Sequence, residues 1–304
     1  MVFIKRFIEL LLNDRLKLYD YIVKKFFSFL PDKLFLSFRY RFQMGCWVDW
    51  QNPKTFTEKI QWLKLYNRKP EYTTWVDKSL VKKYVASIIG DKYIIPTLGI
   101  WQRTSQIDWN SLPNKFVLKT THGGGSCGVV ICKNKDIFDK EKAVASLDKS
   151  LKYDIYKDFR EWPYKNVKKG IIAELYMEDA FQTELNDYKF FCFNGEPLYC
   201  QVIRDRHVRE TIDFYDMEWK HQEFVGLNPN VTNGLTPVER PVCLAEMIDI
   251  CRKLSKNVPF IRVDLYIINS QVYFGELTFF PASGFGMLSP VEWNRKLGDL
   301  LLLE

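Results

Sequence analysis

The chain is poor in the residues on which many metal and nucleophilic enzymes rely. Three histidines, His122, His207 and His221, are scattered along 304 residues, and the seven cysteines include no C-x-x-C pair. Zinc sites built from His and Cys need ligands clustered at short spacings, so this scatter argues against one. No Ser-His-Asp or Cys-His set stands out, which points away from covalent catalysis by a side chain. The cysteine count is odd and several cysteines sit inside apolar runs, so they read as reduced core thiols of a cytoplasmic protein. No uncharged run approaches the ~20 residues of a membrane span. Lys5, Arg6, Glu9, Asp14 and Arg15 interrupt the apolar N-terminal stretch, and no small-residue cleavage site marks it as a signal peptide. Internal repeats, low-complexity tracts and Gly/Ser linkers are also missing.

The sequence is otherwise that of an enzyme-sized globular protein. Its apolar content is 47% and its charged content 27%, and the length allows two or three domains. The net charge of +7 suits a phosphate ligand or an acidic polymer. No basic run is long enough to argue for nucleic acid. Positive charge gathers in the first 42 residues, where nine Lys or Arg face four Asp or Glu among many Phe, Leu and Ile. This segment reads as amphipathic helices with two homes. Packing on the body is favoured; the other home is peripheral contact of residues 1–42 with an anionic membrane surface, at the inner face of the membrane.

Apolar periodicity predicts helices at 57–68, 77–89, 139–152, 242–257 and from about 291. In the second, Val81, Tyr84, Val85, Ile88 and Ile89 make one stripe and Gly90 is the stop signal. In the fourth the stripe is Leu244, Met247, Ile248, Cys251 and Leu254. Strands are expected at 93–95, 116–119, 128–132, 171–177, 187–193 and 198–203. Helices and strands do not alternate regularly, so the fold class is α+β rather than a doubly wound sheet.

The most informative segment is Phe260-Ile261-Arg262-Val263-Asp264-Leu265-Tyr266, followed by Tyr273-Phe274-Gly275-Glu276-Leu277-Thr278. It reads as two adjacent strands with a turn around Asn269-Ser270. Charges inside apolar strands need partners, because an isolated buried ion costs several kcal/mol. Two carboxylates and an arginine suit Mg²⁺ on nucleotide phosphate, with the arginine on an anionic intermediate. A structural ion pair between Arg262 and an acid is the equal alternative. Asp264 and Glu276 share a face only if the turn holds an odd number of residues or the hairpin contains a bulge. Earlier in the chain, Phe116-Val117-Leu118-Lys119-Thr120-Thr121-His122-Gly123-Gly124-Gly125-Ser126-Cys127-Gly128 reads as a strand running into a glycine turn. Glycines let backbone N–H groups approach phosphate, and Lys119 adds a point charge. It is neither a Walker motif nor G-x-G-x-x-G.

Together these pieces resemble the ATP-grasp superfamily, the fold of carboxylate–amine ligases such as D-alanine–D-alanine ligase. The resemblance implies a nucleotide held between two α+β lobes, behind a helical N-terminal segment. Boundaries are expected at 1–56 (helical segment), 57–115 (preceding region), 116–176 (small lobe with the glycine loop) and 177–304 (large lobe with the Mg²⁺ site). It implies ATP and Mg²⁺ as cofactors. Lys78 and Lys119 become the two nucleotide lysines, and Gly124, Gly125 and Ser126, bordered by His122, the loop over the phosphates. In Ile171-Ile172-Ala173-Glu174-Leu175-Tyr176-Met177, the residues Glu174, Leu175 and Tyr176 would read adenine, and Asp187 the ribose. Lys189 and Arg204 would line the triphosphate, Arg262 would face the intermediate, and Asp264, Glu276 and Thr278 would ligate Mg²⁺. Thr278 stands where the family usually has Asn, a weaker ligand. Pro281-Ala282-Ser283-Gly284 resembles the small-residue loop that follows.

Asn52-Pro53-Lys54-Thr55-Phe56-Thr57-Glu58-Lys59-Ile60-Gln61-Trp62-Leu63, Arg160-Glu161-Trp162-Pro163-Tyr164 and Phe274-Gly275-Glu276-Leu277-Thr278 narrow the likeness to the TupA-like branch. That branch is associated with teichuronopeptide and with capsule or lipopolysaccharide biosynthesis. It implies amide formation between a polysaccharide or nucleotide-sugar carboxylate and a small amine. The alternative is a glycosyltransferase of the same assemblies, for which the nearest thing to a D-x-D motif is Asp205 alone among arginines. A binding module with a degenerate nucleotide site is a third reading, opposed by the intact Lys, Asp and Glu set.

Overall fold

The computed structural model describes residues 29–125, 128–180, 185–204, 209–228 and 230–303. Most of the basic N-terminal segment, and Ser126 and Cys127 of the glycine loop, lie outside them. Helix α1 (Asp32–Met44) buries Phe35, Leu36 and Tyr40 against the body. Helix α2 (Phe56–Tyr66) opens on a capping box: Thr55 Oγ1 accepts from the Glu58 N–H, and Glu58 Oε2 accepts from the Thr55 N–H. It stops short of 68, and a short α3 (Glu71–Val76) follows. Helix α4 (Val81–Ile89) begins four residues later than periodicity predicts. Asp77 instead folds a turn, its side chain accepting from the Ser79 N–H at 2.8 Å. Gly90, at φ 103°, ends the helix as expected.

The strand expected at 93–95 is a correction. Asp91–Tyr93 forms a 3₁₀ turn, and β1 (Thr97–Trp101) begins only after Pro96. Before it, Ile94 makes only an isolated bridge to Phe274, and Pro96 has no N–H to extend a ladder. β1 joins β2 (Phe116–Thr120), β3 (Val129–Cys132) and β4 (Ile171–Leu175) in an antiparallel sheet of order β1-β4-β2-β3. Helix α5 (Lys140–Lys152), N-capped by Asp139, packs Leu147 against Phe116, Leu118 and Ala173 of this sheet. Helix α6 (Ile155–Phe159) leads back to β4.

The larger sheet contains β5 (Asp187–Phe193), β6 (Glu196–Arg204), β7 (Thr211–Asp216) and β8 (His221–Gln222). A two-residue β9 (Val225–Gly226) and helix α7 (Leu244–Ser255) precede β10 (Phe260–Ile268) and β11 (Gln271–Thr278). The six-stranded order is β11-β10-β5-β6-β7-β8. β12 (Leu288–Ser289) pairs with β9, and α8 (Glu292–Leu300) closes the described chain. All seven residues of β5 are buried, charged ones included, which is why it reads as a nearly continuous apolar run. Helix α7 lays Leu244, Met247, Ile250, Cys251 and Leu254 on one face of the sheet; Ile250, not the expected Ile248, is fully buried.

The β10–β11 hairpin answers the register question. Its turn has two residues, Asn269 and Ser270, both at positive φ, and Ile268 pairs with Gln271. Pairing continues to Leu265↔Phe274, then skips Gly275, so that Asp264 faces Glu276. The tight turn alone would put the two carboxylates on opposite faces. The bulge at Gly275 brings them together. A Cβ added at Gly275 would lie 3.0 Å from the Asp264 carbonyl oxygen and 2.9 Å from the Tyr266 ring. Gly275→Ala is therefore expected to cost roughly 1–3 kcal/mol of stability in urea unfolding. An unchanged midpoint would contradict this account of the bulge.

Candidate active site

Register places a charged cluster on one face of the large sheet. Asp264 lies opposite Glu276 on one side and Lys189 on the other, and Arg262 lies opposite Thr278. Arg262 makes a two-point contact with Asp264, Nε donating to Oδ1 at 2.6 Å and Nη2 to Oδ2 at 2.7 Å. The same Nη2 reaches Thr278 Oγ1 at 3.1 Å and Glu276 Oε1 at 3.4 Å. Lys189 also donates to Asp264 and sits 3.8 Å from Asp187. Lys78 Nζ lies 3.3 Å from Glu276 Oε2 and donates to the Gly123 carbonyl at 2.6 Å. Asp264 is only 1% exposed. Burial pushes its carboxyl up despite Arg262 and Lys189. Burial acts in the same direction on Glu276, yet Lys78, with Lys189 and Arg262, holds it far below the usual carboxylate range.

The small sheet supplies the opposite wall. The pairings Val117↔Glu174 and Lys119↔Ile172 put Lys119 and Glu174 on one face. Lys119 and Lys82 grip separate oxygens of Glu174, each at 2.5 Å. Burial alone would raise the Glu174 carboxyl, but the two lysines outweigh it and lower it. Lys82 also donates to the Ile95 carbonyl at 2.8 Å. It escaped sequence analysis, although it lies four residues beyond Lys78.

Between these walls lies a narrow cleft, lined among others by Lys78, Lys82, Lys119, Glu174, Glu276 and Tyr164. Tyr164 is a second residue that sequence analysis left without a role. Burial raises its phenol well above the ordinary value, with Glu161 and Glu276 adding to the effect, so it stays a hydrogen-bond donor.

The remaining expected residues divide. Asp187 stands at the start of β5, on the face that carries Lys189. Gly124 and Gly125 are exposed beyond β2, Gly125 at φ 60°. His122 is buried rather than open to the cleft, and burial lowers its imidazole. Leu175 and Tyr176 lie at and just past the end of β4, where the Leu175 N–H is bonded to Pro96. Ser126 is outside the described residues. Arg204 is not brought to the cluster. It stands opposite Thr211 and binds Asp213 at 2.9 Å and the Thr236 carbonyl at 2.8 Å. Strand parity puts it on the other face of β6 from Gln201, which is the partner of Lys189.

Five cations (Lys78, Lys82, Lys119, Lys189 and Arg262) thus meet four carboxylates (Glu174, Asp187, Asp264 and Glu276). A triphosphate entering with a divalent cation could take over lysines while the cation takes over carboxylates, leaving no ion unpaired. Among the described residues no group of three or more His, Cys, Asp or Glu could hold a metal. Two carboxylates and a hydroxyl nevertheless fit Mg²⁺, which takes one or two carboxylates and completes its shell with phosphate and water.

The family model for TupA-like ATP-grasp proteins matches residues 58–302. The chain belongs to the TupA-like ATP-grasp family. No relative was found among functionally curated proteins. Solved structures similar to this family member include D-alanine–D-alanine ligase from Bacillus anthracis, at 17% identity over 69% of this chain and 58% of that one (TM-score 0.42). The enzyme from Helicobacter pylori is 14% identical over 81% and 69% (TM-score 0.43). The ATP-grasp ligase PsnB, complexed with a precursor variant, Mg and ADP, is 11% identical over 93% and 72% (TM-score 0.44). The chain spans less than two thirds of the Bacillus enzyme, and its assignment rests on the family match.

A depressed carboxyl contributes stability above its unfolded pKa and loses it as pH falls. Glu276→Gln should therefore lower Tm at pH 7, with the gap to wild type closing below pH ~4.5 as the carboxylate is protonated. A gap that stays constant from pH 7 to 3 would show that Glu276 is not held by Lys78 and its neighbours.

Proposed function

We propose that this protein is an ATP-dependent carboxylate–amine ligase working through an acyl phosphate. The observation that carries the reading is the Asp264–Glu276 pair, whose Glu276 lines one cleft with Lys78 and Lys119. A substrate carboxylate oxygen attacks the γ-phosphorus of ATP and ADP leaves. The amine nitrogen then attacks the acyl carbon, phosphate leaves, and the nitrogen's proton passes to solvent. Lys78, Lys119 and Lys189 neutralise the phosphates, and Arg262 faces the charge that develops on the acyl oxygen. Mg²⁺ arriving with ATP would be held by Asp264 and Glu276, with Thr278 the weaker third donor, and would offset phosphate charge. Glu174 and Leu175 take the adenine end, and Asp187 the ribose.

The branch's association with surface polysaccharides extends the proposal to substrates. The acid is a uronic acid of such a polymer or of its nucleotide-sugar precursor, and the amine an amino acid or amino alcohol. The reverse sense, an amino acid carboxylate joined to an amino sugar, uses the same chemistry. Measuring ADP release over a panel of uronic acids and amines tests the reading. Release that requires both partners is expected; nucleotide-sugar turnover without ATP would replace the ligase with a glycosyltransferase.

A cytoplasmic enzyme at the inner membrane face is part of the same proposal. No helix among the described residues is long and apolar enough to cross a membrane. Helix α1 instead exposes Leu34, Phe38 and Phe42, one residue per turn, with Trp47 edge-on to Phe38. Flotation with anionic vesicles should weaken severalfold in a Phe38→Ser, Phe42→Ser double variant. Equal flotation of both proteins would remove the membrane contact.

A further inference from the structure

Lys82 is the cation of the cleft to which the ligase chemistry gives no task. It lies in the first turn of α4, four residues beyond Lys78. Its Nζ meets three acceptors: Glu174 Oε1 at 2.5 Å, the Ile95 carbonyl at 2.8 Å and Thr97 Oγ1 at 3.1 Å. An ammonium has three N–H donors, so this one has none left for a phosphate. The three acceptors belong to one junction of the small sheet. Thr97 opens β1 and pairs with Glu174 of β4, and between Ile95 and Thr97 the Pro96 carbonyl accepts from the Leu175 N–H at 3.0 Å. Burial lowers the Lys82 ammonium, and the Glu174 carboxylate works against that.

Lys119 is held differently. Among the described residues its Nζ meets Glu174 Oε2 alone, at 2.5 Å, so two of its donors remain for a ligand. A phosphate entering the cleft can draw Lys119 away, whereas Lys82 stays pinned by two neutral acceptors besides the carboxylate. Glu174 is buried, and a buried carboxylate stripped of every cation is strongly disfavoured. Lys82 therefore keeps Glu174 ionised once Lys119 has turned to the phosphates, with Oε1 fixed and Oε2 released. Val76, Val81 and Phe274 line the same cleft and offer apolar surface to a flat base. An ionised oxygen accepts a hydrogen bond from an amino group and repels a carbonyl oxygen. Adenine bears an amino group on the ring carbon where guanine bears a carbonyl.

We infer that Lys82 is a positioning residue that holds Glu174 ionised and in place when Lys119 turns to the phosphates, and so makes the cleft select adenine over guanine nucleotides. The inference rests on the ligase reading, which puts the base at Glu174. Glu174 touches the base; Lys82 acts through the carboxylate and the strand junction behind it. A site built around a fixed acceptor discriminates strongly, because the wrong base leaves that acceptor buried and unpaired.

Calorimetry with Mg·ATP, Mg·GTP and magnesium tripolyphosphate tests this on wild type, Lys82→Met, Thr97→Val, Glu174→Gln and the Lys82→Met, Glu174→Gln double variant. Methionine keeps much of the length of lysine without its charge. Thr97→Val removes one anchor of Lys82 and no charge, so it decides the matter should Lys82→Met fail to fold. Wild type should prefer ATP to GTP at least a hundredfold. That ratio should fall at least tenfold in Lys82→Met and severalfold in Thr97→Val, while tripolyphosphate affinity stays within about threefold of wild type. Glu174→Gln should lose the preference too, and adding Lys82→Met to it should shift the ratio less than about twofold, since Lys82 acts through Glu174. An unchanged ratio in Lys82→Met, or a further large fall in the double variant, would overturn the inference. Tripolyphosphate affinity that drops as far as ATP affinity would make Lys82 a phosphate ligand and overturn it as well. Wild type that binds Mg·ATP and Mg·GTP equally would overturn it and leave the ligase reading standing. Wild type that binds neither nucleotide would defeat that reading, and the inference with it.

Discussion

Asp264 is buried on the second strand of a six-stranded sheet with Arg262 and Lys189 against it, and much of the site follows from making that tolerable. A buried carboxylate that loses one partner costs about 3–5 kcal/mol, so its cations cannot leave unless another positive charge replaces them. The bulge at Gly275 brings Glu276 beside it, and Lys78 reaches Glu276 from the far side of the cleft. Lys78 is tied in turn to Gly123 of the glycine loop. The two sheets are thus joined through ions that a metal–triphosphate could exchange one for one. On the proposed function, the residues of this structural ion pair are also those that would hold the metal.

Much of this was legible in the sequence because charges stood out against apolar strands. Arg262, Asp264, Glu276 and Glu174 could be picked out singly, since each needs a partner. What periodicity could not supply was register. Whether Asp264 and Glu276 share a face turned on one unpaired glycine, and either outcome was compatible with the same residues. Lys82 was missed because a lysine on an amphipathic helix looks like a solvated face until the strand bearing Glu174 is brought against it. Arg204 misled for the converse reason: an arginine ending a strand near the site gives no sign of which face it occupies. The strand expected at 93–95 failed because a 3₁₀ turn takes up Asp91–Tyr93, leaving Ile94 an isolated bridge before Pro96.

The turn at Pro281–Gly284 shows a different limit. Small residues after a metal-ligating strand suggest a tight loop, but not its handedness, and not that three buried polar side chains from two distant segments hold it. Lys64 would pass for an ordinary surface lysine in the sequence, yet it has no exposed area. Buried polar groups with matched partners are costly in a core and useful where geometry must be fixed.

The central claim is that the carboxylate pair and its lysines form a metal–nucleotide site. Calorimetry of Mg·ATP binding to wild type and to Glu276→Gln, with and without Mg²⁺, tests it most directly. The account predicts micromolar-range binding (about −8 kcal/mol) by wild type that depends on Mg²⁺ and weakens at least tenfold in the variant. Binding that is absent in folded wild type, or indifferent to both Mg²⁺ and Glu276, would contradict it.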